Sequence, residues 1–163
     1  MNLNKIHLQD CLEGLEWVSQ IKPYSVDLTV TSPPYKDCDG YSEDLIRGLA
    51  IRLWLCHKPN TLCFVNFGHL AEAKSRPFKV CDIFECNGWV LGETFTWVKN
   101  HYKPIQGSRR LNNLSEFIFL LHKGKMPSIN RLAIGVPYND KSNVGRFAEQ
   151  DLKCGGNVWP IKY

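Results

Sequence analysis

One hydroxyl, one aromatic ring and two prolines stand together at Ser32-Pro33-Pro34-Tyr35. Neither proline offers an N–H, both fix φ, and each pushes the residue before it into an extended conformation. The four residues form a stiff arm that holds the Ser32 oxygen and the Pro33 carbonyl at a set angle. Two acceptors held in this way suit one chemistry. The exocyclic amino group of cytosine or adenine is a poor nucleophile, because its lone pair is delocalised into the ring. Acceptors aimed at its N–H bonds draw the nitrogen towards tetrahedral geometry and stabilise positive charge as it attacks a methyl donor. Tyr35 could stack on a base swung out of a duplex. The competing reading is a polyproline turn, or a Pro-Pro-Tyr ligand for a recognition domain.

The residues in front of the arm favour the catalytic reading. Val26, Leu28 and Val30 alternate with Asp27 and Thr29, which predicts a short buried strand ending at Thr31. Open α/β sheets place their ligands at such C-terminal strand ends. Upstream, 3–8 reads as a short strand and 12–20 as a helix, with Asp10 and Cys11 between them. Asp10 is a candidate contact for an adenosine moiety, or a plain helix N-cap. Downstream, 36–41 is polar and irregular, suited to a mobile substrate loop. Ser42 can cap a helix over 43–56, where Leu45, Leu49, Leu53 and Cys56 recur at helical spacing. A buried strand at 61–67 closes at Gly68. Pro77 fits the first turn of a helix ending near Cys86, with Gly88 after it. Strands are predicted at 89–98 and 116–121, separated by a basic loop over 99–110. Too few residues separate them for the usual crossover helix, so they read as an antiparallel pair at one end of the sheet. From 126 to 163 the signals weaken, and only 131–136 and 157–159 look able to pair in a sheet.

The chain of 163 residues is long enough for one domain, and 44% hydrophobic residues can bury a core. It has no run of about 18 apolar residues and no signal-peptide core, so no membrane association is expected. Seven cysteines show neither a Cys-x-x-Cys pair nor a zinc spacing, which predicts reduced thiols, a cytoplasmic protein and no metal. Charge is polarised. Residues 1–50 carry four Lys/Arg against eight Asp/Glu, a net of −4, whereas 99–131 carry seven Lys/Arg against Glu116 alone, a net of +6. Lys99, Lys103, Arg109 and Arg110 crowd one loop and are the candidate contacts for a phosphate backbone; a merely solvated face is the alternative.

Ser32-Pro33-Pro34-Tyr35 resembles the catalytic motif of amino-methylating DNA methyltransferases. The order of the other blocks extends the likeness to the beta-class enzymes of restriction-modification systems. Asn4-Lys5-Ile6-His7-Leu8-Gln9-Asp10-Cys11 resembles the family's opening strand and acidic turn. Asn60-Thr61-Leu62-Cys63-Phe64, Thr96-Trp97-Val98-Lys99, Ser115-Glu116-Phe117-Ile118-Phe119 and Val158-Trp159 resemble its later blocks in order. The resemblance implies a mixed, mostly parallel α/β sheet flanked by helices, the catalytic half of a Rossmann-like methyltransferase. It implies S-adenosylmethionine as cofactor and DNA as substrate, with cytosine N4 favoured over adenine N6 because Ser32 leads the motif. The implied site has Ser32, Pro33, Pro34 and Tyr35 in catalysis and Asp10, Cys11 and Thr31 against the cofactor.

The family's cofactor loop, an Asp-Pro-Phe-x-Gly-Ser-Gly strand–loop, should follow Trp159. None does, and no two of the twelve glycines stand one residue apart. The expectation is therefore a half-domain spanning 1–163. It would be one chain of a split enzyme, a truncated product, or an inactive nucleic-acid-binding or scaffold module. Alone, it is expected to pair as a homodimer through the face that should meet the cofactor half.

Overall fold

The computed structural model describes residues 4–8, 10–12, 21–101, 104, 109, 111–146 and 150–160. Lys103, Arg110 and most of the helix expected over 12–20 lie outside them.

Five strands form one sheet: β1 (Val26–Thr31), β2 (His57–Gly68), β3 (Val90–Val98), β4 (Ser115–Lys123) and β5 (Val158–Pro160). Their spatial order is β1-β2-β4-β3-β5. β1 runs parallel to β2, and β5 parallel to β3, while β4 is antiparallel to both its neighbours. Four strands thus point one way and β4 alone is reversed. Because β3 and β4 lack a crossover helix, they pair antiparallel as expected, and β4 inserts between β2 and β3.

Two helices cover one face. In α1 (Glu43–Cys56) the Ser42 side chain accepts from the Leu45 N–H at 3.0 Å, and Glu43 and Asp44 suit the positive end of the helix dipole. α2 (Arg76–Cys86) has Pro77 in its first turn, and Gly88 just beyond it at φ +97°. Ile46, Leu49, Ala50 and Leu53 of α1 and Val80, Cys81, Ile83 and Phe84 of α2 bury against Cys63, Val65 and Phe67 of β2 and Phe119 and Leu121 of β4. Trp89 joins them and donates its indole N–H to the Ala50 carbonyl at 3.0 Å. None of the seven cysteines is in a disulfide. No helix among the described residues is long and apolar enough to cross a membrane.

Three expectations need correcting. β1 is not buried: it is an edge strand, with Leu28 54% and Val30 73% exposed. The register pairs Leu28 with Leu62 and Val30 with Phe64, so its apolar side turns away from α1 and α2, and Thr29 and Thr31 take the helix side. Residues 4–8 form no strand, and Ile6 and Leu8 are fully exposed. In the tail, 131–134 is a turn rather than a strand, and only Val136 bridges to Lys153.

Candidate active site

β1, β2 and β3 end, and β4 begins, at the same edge of the sheet, so residues far apart in sequence meet there. Ser32 follows the last residue of β1, Asn66 and Gly68 close β2, Lys99 follows β3, and Glu116 opens β4. Tyr35 is the hub. Its hydroxyl donates to Asn66 Oδ1 at 2.7 Å, with Glu116 Oε2 as a second acceptor at 3.1 Å. The Ser32 hydroxyl lies 2.8 Å from the same phenol oxygen. Asn66 is held from behind, since its Nδ2 donates to the Phe117 carbonyl at 3.0 Å, which fixes Oδ1 towards the two hydroxyls. The Lys99 ammonium closes the row on Glu116, both side chains being largely buried.

The direction of this chain has a chemical consequence. Burial pushes the Tyr35 phenol well above its ordinary pKa, so it stays a proton donor at neutral pH. With its proton on Asn66 or Glu116, its oxygen accepts from Ser32. Ser32 is exposed, so the lone pairs of its Oγ face outward. Pro33 is buried and Pro34 half-buried, which holds the arm's backbone against the sheet.

Tyr35 is seated more firmly than a free stacking ring. Its centroid is 4.5 Å from that of Phe67. A Cβ on Gly68 would lie 2.7 Å from the Tyr35 ring and 3.2 Å from Glu116 Oε1, so only glycine leaves room for the ring and the carboxylate together.

The segment after Tyr35 was expected to be mobile, but Arg76 fastens it. Arg76 Nη1 donates to the Tyr35 carbonyl at 2.9 Å and pairs with Asp37 at 3.1 Å, and its guanidinium lies 4.1 Å from the centroid of Tyr41. A short 3-10 turn at Asp37–Asp39, with Gly40 at φ +94°, completes the fastened loop. Arg76, Asn66, Glu116 and Gly68 were not picked out as site residues from the sequence. The one available signal was Glu116, a carboxylate at the head of an apolar strand, where burial needs a partner.

The other sequence candidates fall at different places. Thr31 ends β1 beside Ser32. Asp10 Oδ1 accepts from the Leu12 N–H at 2.8 Å, the capping role weighed against cofactor contact, and Cys11 lies beside it, exposed. Leu12 sits over Gly48 of α1. Lys99 belongs to the Glu116 pair, and Arg109 is exposed in the loop before β4.

A mixed sheet with a polar arm at its C-terminal edge is the Rossmann-like arrangement of methyltransferases. The family described as DNA methylase, N6/N4 type, matches residues 26–163, and the chain belongs to it. Similar solved structures include the PvuII DNA methyltransferase, described as cytosine-N4-specific, at TM-score 0.65 and 17% identity over 92% of this chain and 54% of that one. A DNA modification methylase of Thermus thermophilus, TTHA0409, complexed with S-adenosyl-L-methionine, aligns at TM-score 0.59 and 17% identity over 92% and 65%. The M1.HpyAVI–SAM complex aligns at TM-score 0.55 and 22% identity over 82% and 58%. The chain thus spans between 54% and 65% of the length of these structures. No curated protein matches it by sequence.

Proposed function

We propose that this chain is the catalytic, base-binding half of a DNA methyltransferase that modifies an exocyclic amino group, cytosine N4 in preference to adenine N6. The observation that carries the reading is the outward-facing Ser32 oxygen, held by Tyr35, Asn66 and Glu116 at the sheet edge. Ser32 Oγ and the Pro33 carbonyl accept the two N–H bonds of the target amine and favour charge on its nitrogen. The proton that the amine releases has a hydrogen-bonded path from Ser32 Oγ through the Tyr35 phenol to the Glu116 carboxylate. The cytosine preference rests on Ser32 and on the specificity named for the PvuII enzyme.

The residues present fit S-adenosylmethionine on the acceptor side: the arm faces outward from the end of β1, with the Thr31 hydroxyl beside it. When bound, the cofactor supplies an electrophilic methyl group. Thr31, with Asp10 and Cys11, would hold part of it, and a second chain carrying the cofactor-binding loop would supply the main cradle. Arg109 would contact the DNA backbone with Lys103 and Arg110, while Lys99 serves through Glu116. We place the protein in the cytoplasm, where DNA and the cofactor are both available.

The test is nucleoside mass spectrometry of DNA incubated with S-adenosylmethionine, this chain and a second chain carrying that loop. N4-methylcytosine is the expected product. Methyladenine without methylcytosine would overturn the base assignment, and no modified base at all would overturn the reading.

Without that partner the free edge of β1, with Leu28 and Val30 exposed beside it, is open to pairing. A homodimer is expected in size-exclusion chromatography with light scattering. A monodisperse monomer at tens of micromolar would show that the edge does not pair.

A further inference from the structure

The sheet edge that holds Ser32 carries a second concavity, which methyl transfer does not use. A cavity of about 380 Å³ opens between the segment after β2 and the segment before β4. Lys74 and Arg109 line it from opposite segments, with the amides of Asn112 and Asn113 and an apolar wall at Leu70. Asn113 Nδ2 donates to the His69 carbonyl at 3.3 Å and so ties one segment to the other. Among the described residues, no carboxylate lines the cavity; Glu72, in the same segment as Lys74, is not part of it. The contrast with the rest of this edge is direct, since Lys99 is matched there by Glu116 and Arg76 by Asp37.

Two cations brought to one cavity repel unless an anion lies between them. The donors suit a tetrahedral oxyanion: an ammonium and a guanidinium for charge, with side-chain amides for further hydrogen bonds. The placement suits one anion in particular. Gly68, which touches the Tyr35 ring, lies two residues before Leu70. Leu114, one residue after Asn113, accepts the backbone N–H of Lys99 at 2.7 Å. The cavity is therefore a short step along the edge from the acceptor arm. A base swung out to Ser32 stays tethered to its own strand, whose phosphates must pass nearby.

We propose that this cavity binds one phosphodiester of the DNA, neutralised by Lys74 and Arg109 and oriented by Asn112 and Asn113. The proposal rests on the DNA-methylation reading but concerns a different set of side chains. A phosphate contact fixes register without reading sequence. Its removal should weaken binding about equally on any duplex.

The experiment is fluorescence anisotropy of the purified chain with a random-sequence duplex over a series of salt concentrations. Log affinity falls with log salt at about 0.9 per phosphate neutralised. The double variant Lys74→Gln/Arg109→Gln is expected to bind more weakly and to lose about 1 from the salt slope. Lys125→Gln, at the other end of β4, removes a charge elsewhere and should leave the slope unchanged. Lys74→Arg/Arg109→Lys, which keeps both charges, should retain the wild-type slope and shows that the two loops tolerate substitution. A double Gln variant with the wild-type slope, while the wild type binds with strong salt dependence, overturns the cavity assignment and leaves the DNA reading standing. A wild type that shows no salt-dependent binding overturns both. Competition by low-millimolar inorganic phosphate, lost in the double Gln variant, would assign the cavity to a free anion and overturn the phosphodiester.

Discussion

Replacing Ser32 with alanine is expected to lower the rate of methyl transfer by about 10²–10³ and to leave the fold intact. Loss of one preorganised acceptor aimed at developing charge has an effect of that size. The geometry explains why stability should not follow the rate. Ser32 is exposed, and the Tyr35 hydroxyl it touches has Asn66 Oδ1 at 2.7 Å and Glu116 Oε2 at 3.1 Å, so no buried group loses its partner. Tyr35→Ala should behave differently. It removes a ring seated on Phe67 and Gly68 and strips both acceptors of their donor, so it should lower melting temperature as well as rate. Single-turnover transfer by the complemented enzyme, with thermal melts beside it, separates the two outcomes. A Ser32→Ala enzyme that turns over at the wild-type rate would reduce the arm to a structural turn.

How far the sequence could be read depended on the range of the interaction. α1 is determined within its own residues, by the Ser42 cap and the apolar stripe, and its predicted limits hold. The acceptor arm was legible for the same reason, since two prolines act on their immediate neighbours. The groups behind the arm were not. Asn66 reads as a polar residue in an apolar strand, and its contact with Tyr35 spans 31 residues; Glu116 reaches Tyr35 across 81. Arg76 looks like an exposed helix-start residue until the fold brings it 41 positions back to the Tyr35 carbonyl. β1 shows a second limit. Alternation told correctly that Val26, Leu28 and Val30 share a face, but not which face the helices cover. That depended on the register with β2, where Leu28 meets Leu62 and the register shifts after Val26. The family resemblance supplied the order of blocks, and it assigned residues 4–8 a strand that this chain does not form there.

Acid should loosen this fold from the end opposite the acceptor arm. His57, the first residue of β2, is fully buried. Its Nδ1 lies 2.9 Å from Thr61 Oγ1, whose own proton goes to the Lys58 carbonyl at 2.8 Å. The ring proton therefore sits on Nδ1, and Nε2 accepts from Thr29 Oγ1 at 2.7 Å. The site is built for a neutral imidazole. Burial holds the His57 pKa down to about 4 from its ordinary 6.5; the Lys123 charge pushes the same way, and Asp27, which is exposed, only partly opposes them. Lys123 cannot withdraw easily. Its ammonium donates to the Trp54 and His57 carbonyls at the end of α1 and lies 4.7 Å from the Trp54 ring centroid. The sign follows from linkage. Between pH 6.5 and about 4 the unfolded chain holds a proton at His57 that the folded chain does not. Stability from this group is thus full above 6.5 and falls as pH drops towards 4, by up to about 3 kcal/mol. The measurement is urea denaturation at a series of pH values, for the wild type and for His57→Gln. The variant starts less stable, but its stability should change less between pH 6.5 and 4.5. Parallel curves would assign the acid sensitivity to carboxylates elsewhere and show that His57 is charged in the folded protein.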